Sequence, residues 1–155
     1  MTVAMQTLIT GMQAMTDAFH AAIESGDLDA ALAVVAEDGV LEDVPVGGPR
    51  SGAELRRHLA EDVLPHLPAD LGIRRVTRTA DIRTLVDQRL VGFTHDRELP
   101  WLLPGVAATH RRAEVLAISV VAFRHRTHAA VTRSLIVSHR TLWDQTGLRT
   151  QLGLA

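Results

Sequence analysis

Cysteine, lysine, tyrosine and asparagine are all missing from this chain of 155 residues. Without Cys there is no disulfide framework, no thiolate nucleophile and no Cys-based zinc site. Without Lys there is no Schiff base, and all side-chain positive charge at neutral pH comes from Arg. The missing Tyr and Asn remove two common oxyanion donors. Aromatics are scarce, with two Trp and three Phe, so their clustering near a site would carry information. A net charge of -2 leaves no footprint for phosphate backbones or anionic membranes, and neither nucleic acid nor a membrane is an expected partner. No apolar run approaches the roughly 20 residues that span a bilayer. The N-terminus has no basic segment followed by a continuous apolar run, so no signal peptide is indicated and a cytoplasmic location is expected. Nucleophile elbows and phosphate-binding glycine loops are absent too. What remains for chemistry is Asp, Glu, His and Arg, assisted by Ser or Thr. That set suits proton transfer.

What is present reads as one domain over residues 1–155. Met5, Leu8, Met12, Met15, Phe19 and Ile23 recur at helical spacing and predict an amphipathic helix. Ser25-Gly26-Asp27 ends it, and Asp27 can cap a short second helix through Leu28, Leu32 and Val35, ended by Gly39. Val40 to Val44 predicts a strand, stopped by Pro45. Ser51 to Glu54 has the spacing of a capping box, and Leu55, Leu59 and Val63 continue a third helix to Pro65. His58 and His66 read as solvated. Ile73–Thr79 and Ile82–Thr94 predict paired strands. Glu114 to Phe123 is apolar on both faces and should be covered on both, by helices on one and by a pocket or partner on the other. Arg124 to His128 reads as a basic turn rather than a metal site, and Gly147 to Leu154 as a short helix or tail. Helices followed by strands in this order predict an α+β fold, a cone-shaped curved antiparallel sheet wrapped around the N-terminal helices.

The last strand carries the chemistry. Counting by twos, Val131, Leu135, Val137, His139, Thr141 and Trp143 share its apolar face, which places His139 inward. That imidazole is either a core histidine bonded to a backbone carbonyl or part of a pocket. Asp144 beside Trp143 is either a carboxyl with a raised pKa, suited to acid/base work, or the cap of a last helical turn. Trp143, Trp101 and Phe93 read as pocket wall or core. Of the adjacent Glu42 and Asp43, at most one faces inward, and a rim position is expected.

Residues 22–52, AIESGDLDAALAVVAEDGVLEDVPVGGPRSG, resemble the opening of SnoaL-like proteins of the nuclear transport factor 2-like superfamily. The segments FTHDRELPWLLPG and WDQTGLRTQLGL are similar to one SnoaL-like subgroup, and the strand-end Trp also resembles limonene epoxide hydrolase. The resemblance implies a cone enclosing a deep apolar cavity for a small polycyclic or terpenoid-like molecule, with carboxylate catalysis, sometimes aided by His, and dimerisation through the sheet. It matches Asp144 to an acidic position after the strand Trp. It also matches His95 to a polar position facing the cavity, with Glu98 close behind. His139 stands where the subgroup usually has Glu, and the absence of Tyr counts against a standard ketosteroid isomerase. The expectation is therefore a cofactor-independent cyclase or isomerase of an apolar polyketide- or terpenoid-like substrate. Asp144 would be its acid/base, His139, His95 and Glu98 its proton partners, and Arg97 or Arg140 would stabilise negative charge. Epoxide opening and ligand binding without chemistry are the alternatives. No metal and no cofactor are expected.

Overall fold

The methionine-rich stripe forms α1 (Val3–Ser25), which Thr2 opens by accepting the Met5 amide at 3.2 Å. Gly26 closes it in the left-handed region at φ 76°. Asp27 then caps α2 (Leu28–Ala33), accepting from the Ala30 amide at 3.0 Å. These elements come from a computed structural model, which describes residues 1–154. α2 is shorter than its apolar spacing suggests, because Val35 already belongs to β1 (Val35–Asp43). Gly39 lies inside that strand, where a Cβ would come within 2.9 Å of the Ala36 and Ile136 carbonyl oxygens. It is a close-approach glycine, not a helix stop.

After the two-residue β2 (Arg50–Ser51) comes α3 (Gly52–His58), continued by a wide π turn to Val63 that buries Leu55, Leu59 and Val63. Ser51 makes no capping hydrogen bond, so the expected capping box does not form. The remaining strands are β3 (Gly72–Ala80), β4 (Thr84–Thr94), β5 (Arg112–His128) and β6 (Val131–Leu142), and α4 (Gln145–Gln151) follows them. Arg124 to His128 is strand rather than turn, paired with β6 as far as Val131. Ala129 and Ala130, both at positive φ, make the reversal instead.

The sheet order is β2-β1-β6-β5-β4-β3, antiparallel throughout except for β1 beside β6, which run parallel. The fold is thus α+β, with α1 packed against β6 and β5. One core gathers Met12, Phe19, Leu59, Leu85, Val121 and Ile136; a second gathers Phe93, Leu99, Leu103, Val115 and Leu148. Trp101 packs against both. Among the described residues no helix is long and apolar enough to cross a membrane.

The parity of β6 changes part-way along. Ala122 pairs with Ser138 but Phe123 with Ile136, so Val137 is an extra, bulged residue. Before it Ser134 and Ile136 are buried while Leu135 is only partly covered; after it His139 is buried and Arg140 exposed. Leu135 and Val137 therefore do not share the face of His139, as simple alternation predicts.

Candidate active site

Alternation on β4 turns Leu85, Asp87, Arg89, Val91 and Phe93 toward the concave side. The register then lines up Asp87 with Ser119 on β5, Ser119 with Thr141 on β6, and Thr141 with Asp43 on β1. One row across the sheet is thus polar inside an otherwise apolar fold. A cavity of about 130 Å³ opens beside it, between the two cores. Its walls include Leu41, Ile73, Val91, Val115, Trp101 and Trp143, and its polar lining is His20, Glu24, Asp43, Arg89, His139 and Thr141. Both Trp rings are held by their indole N–H groups: Trp101 donates to the His66 carbonyl at 3.1 Å, Trp143 to Gln145 Oε1 at 2.7 Å.

Two imidazoles meet in this cavity. His20, from α1, and His139 stand Nε2 to Nε2 at 3.0 Å, their rings perpendicular, with Phe19 5.0 Å from the His139 ring. One Nε2–H must donate to the bare Nε2 of the other, so this contact requires at least one neutral ring. Burial, aided by the Arg89 charge, lowers the His139 pKa to about 3. The same causes, burial first, hold His20 well below its ordinary value. Both rings are neutral at physiological pH, a pair sharing one proton along their common axis.

The carboxyl that faces this pair's strand belongs to Asp43. Its side chain is 17% exposed. Burial pushes its pKa up to about 6, with Glu42 adding to the rise and Arg50 opposing it. Behind it His58 is buried, with Nε2 4.0 Å from Asp43 Oδ2 and Nδ1 2.9 Å from Asp62 Oδ2. Nδ1–H donates to Asp62, which leaves Nε2, buried and without a partner, as a lone pair facing the Asp43 carboxyl. Burial lowers the His58 pKa against the opposing hydrogen bond from Asp62. Asp62 is 44% exposed, so the three groups run from cavity to solvent.

No protein-family model matches the sequence, and no curated protein does either. Solved structures do match the fold. A protein assigned as a SnoaL-like polyketide cyclase from Jannaschia sp. CCS1 superposes over 100% of this chain and 97% of its own, with a TM-score of 0.72 at 11% identity. An epoxide hydrolase of M. tuberculosis, limonene-epoxide-hydrolase-like, covers 92% of this chain and 90% of its own, at a TM-score of 0.62 and 16% identity. SalBIII, an epoxide hydrolase/cyclase-like enzyme in pyran ring formation in salinomycin, covers 86% and 91% at a TM-score of 0.60 and 17% identity. The fold is nuclear transport factor 2-like.

In this nuclear transport factor 2-like fold the sequence-predicted residues divide. His139, Trp101 and Trp143 line the cavity. Asp144 does not: it is exposed and caps α4, accepting the Gly147 amide at 2.9 Å, because the chain has left the sheet at Leu142. Glu98 is exposed in the loop after β4, where it accepts the Gly105 amide at 3.3 Å. His95 is buried away from the cavity, its Nδ1 accepting the Thr109 amide at 3.2 Å. Arg97 forks onto Asp96 at 2.9 and 3.0 Å, and Arg140 meets Glu42 at 3.5 Å; neither faces the cavity. Phe93 is fully buried in the second core. His58, expected in solvent, is buried, and Asp43, expected at the rim, lies inside.

Sequence reasoning missed His20, Arg89 and the role of Asp43. Each had a signal. His20 lies four residues after the buried Thr16 and beside Phe19, on the buried face of α1. Arg89 alternates with Leu85, Asp87 and Val91, and Asp43 with Leu41. Among the described residues no three His, Asp or Glu side chains converge as a metal site.

Proposed function

We propose that this chain is a cofactor-independent cyclase or isomerase that works on an apolar, polyketide- or terpenoid-like ketone by general acid/base catalysis, with Asp43 rather than Asp144 as the base. The observation that carries this reading is a carboxyl group in an apolar cavity whose pKa has risen to about 6, with an imidazole nitrogen aimed at it from behind. A base of that strength is mostly ionised at neutral pH yet holds a proton once it has taken one. Asp43 removes a proton from the carbon beside a carbonyl, and the electron pair moves onto the carbonyl oxygen. As charge develops, the Nε2–H shared by the His20–His139 pair turns from the partner ring and donates to that oxygen. Return of the proton from Asp43 to a different carbon completes an isomerisation. Attack of the enolate carbon on a second carbonyl of the same molecule completes a ring closure, with the Asp43 proton going to the new alkoxide. Once Asp43 has taken a proton, the bare Nε2 of His58 offers that proton a route to Asp62.

The test is proton exchange on a plain bicyclic ketone. Incubated in D₂O with α-tetralone, the wild type should exchange the hydrogens beside the carbonyl, followed by NMR. Asp43→Asn should exchange about a hundredfold more slowly, in keeping with the usual size of general-base effects. Wild-type exchange in that variant would remove Asp43 from the mechanism. Epoxide opening is the second reading, and Glu24, the other carboxyl in the cavity lining, favours it. Hydrolysis of styrene oxide that is lost in Glu24→Gln as well as Asp43→Asn would select it. A homodimer belongs to the same proposal. The convex face of β5 carries Leu116, Ile118 and Val120 outward, Leu116 being 44% exposed, and a second copy would cover them. Sedimentation at twice the chain mass is the expected result.

A further inference from the structure

Arg89 is a cation that no carboxylate grips directly. The carboxylates that act on it through space are Asp87, both of whose oxygens Arg78 already grips at 2.6 and 2.8 Å, and Glu24, which shares the cavity lining. Among the described residues no carboxylate comes within 4.0 Å of the Arg89 guanidinium. One terminal N–H reaches Ser119 Oγ at 3.3 Å, and Nε is buried with no acceptor at all. Around it stand Ile73, Val91, Val115 and Ala117. Burying a charge is costly unless something pairs with it, and the guanidinium edge is shaped to take two carboxylate oxygens. Within the protein the guanidinium makes one long hydrogen bond and no salt bridge, so its internal contacts do not account for it.

We propose that Arg89 is the anion subsite of the cavity, and that the ligand is an apolar ring system carrying a carboxylate. The proposal rests on the cavity of the acid/base reading but not on the chemistry. Arg89 lies on β4 and Asp43 on β1, with β5 and β6 between them, so the two sit on separated parts of the concave wall. One end of the ligand is anchored while the reacting carbon lies near the other. An engineered apolar cavity of about 150 Å³ takes up benzene. This cavity, of similar size and open to solvent, holds one ring with a second toward its mouth.

Calorimetry with 2-naphthoate and its neutral isostere 2-naphthamide tests the subsite. The wild type should prefer the acid by tenfold or more. Arg89→Gln should bind both equally with its amide affinity kept, Arg89→Lys should retain an intermediate preference, and Asp43→Asn should keep the full one. Arg89→Gln should also melt no lower than the wild type, since it discards a buried charge that no carboxylate pairs with directly. Equal binding of acid and amide by the wild type, or a preference that survives in Arg89→Gln, would overturn the proposal. So would a large loss of melting temperature in Arg89→Gln, which would show that the guanidinium is compensated within the protein. Loss of tetralone exchange in Asp43→Asn with the acid preference intact separates the two ideas. If exchange is unaffected there and the preference remains, the acid/base reading fails and the subsite stands.

Discussion

Replacing Asp43 by Asn tests the electrostatics of the cavity without any substrate. The wild-type carboxyl titrates at about 6 in the folded protein against an ordinary 3.8. Below 3.8 both folded and unfolded chains hold the proton and the group has no effect on stability. Between the two values the unfolded chain releases the proton while the folded one keeps it, so wild-type stability falls as pH rises. Above about 6 both are ionised and the penalty is complete. The gap amounts to about 3 kcal/mol, or about 6 to 12 °C of melting temperature for a domain of this size. Asn cannot titrate. Urea unfolding of both proteins from about pH 4 to pH 8 should therefore show the Asn variant gaining on the wild type by that amount, with the change centred on the acid side of 6. Taking the difference removes the titrations of His20, His58 and His139, which both proteins share, and a fixed offset from the amide does not alter the slope. A difference that stays flat with pH would refute the raised pKa. A difference of opposite slope would show Asp43 to be ion-paired, and its place as a base would go with it.

Three further outcomes are expected. His139, neutral when folded and titrating at about 3, makes the protein lose stability as pH falls below 6.5, by up to about 5 kcal/mol near pH 3; His139→Gln should shed that part of the acid sensitivity in thermal melts. Asp87→Ala leaves the Arg78 guanidinium, 9% exposed, with only the surface Asp17, and chemical denaturation should show a loss of about 3 to 5 kcal/mol. Asp144→Ala removes a helix cap and nothing else, costing about 1 kcal/mol in the same assay with tetralone exchange unchanged.

Much of this architecture is legible in the chain because burial and periodicity agree over long stretches. The α1 stripe, the paired strands after Gly72 and the inward His139 all follow from it. The expectations for Asp43 and His58, and the silence on Arg89, share one physical cause: an ionisable side chain does not read as inward even where its neighbours put it inside. Asp43 follows Leu41 and Arg89 follows Leu85 and Asp87, so parity alone points them inward. His58 follows Leu55 at helical spacing and lies on its buried face. Asp144 shows the converse error, since a motif match carried it into the cavity although its position past the strand end suits a cap. Val137 defeats local reading, because nothing in a Val-Ser pair marks an extra residue.

That single extra residue gives β6 two addresses. The stretch toward the hairpin delivers Ser134 and Ile136 to the space under α1, and the stretch toward α4 delivers His139 and Thr141 to the cavity. Had the strand run straight, one choice of parity would have governed both, and the imidazole would sit on the convex wall. Lineages descended from such a chain can therefore exchange the residues of the chamber without disturbing those that seat the long helix, and loss of the one codon for Val137 would straighten the strand while leaving both sets facing inward.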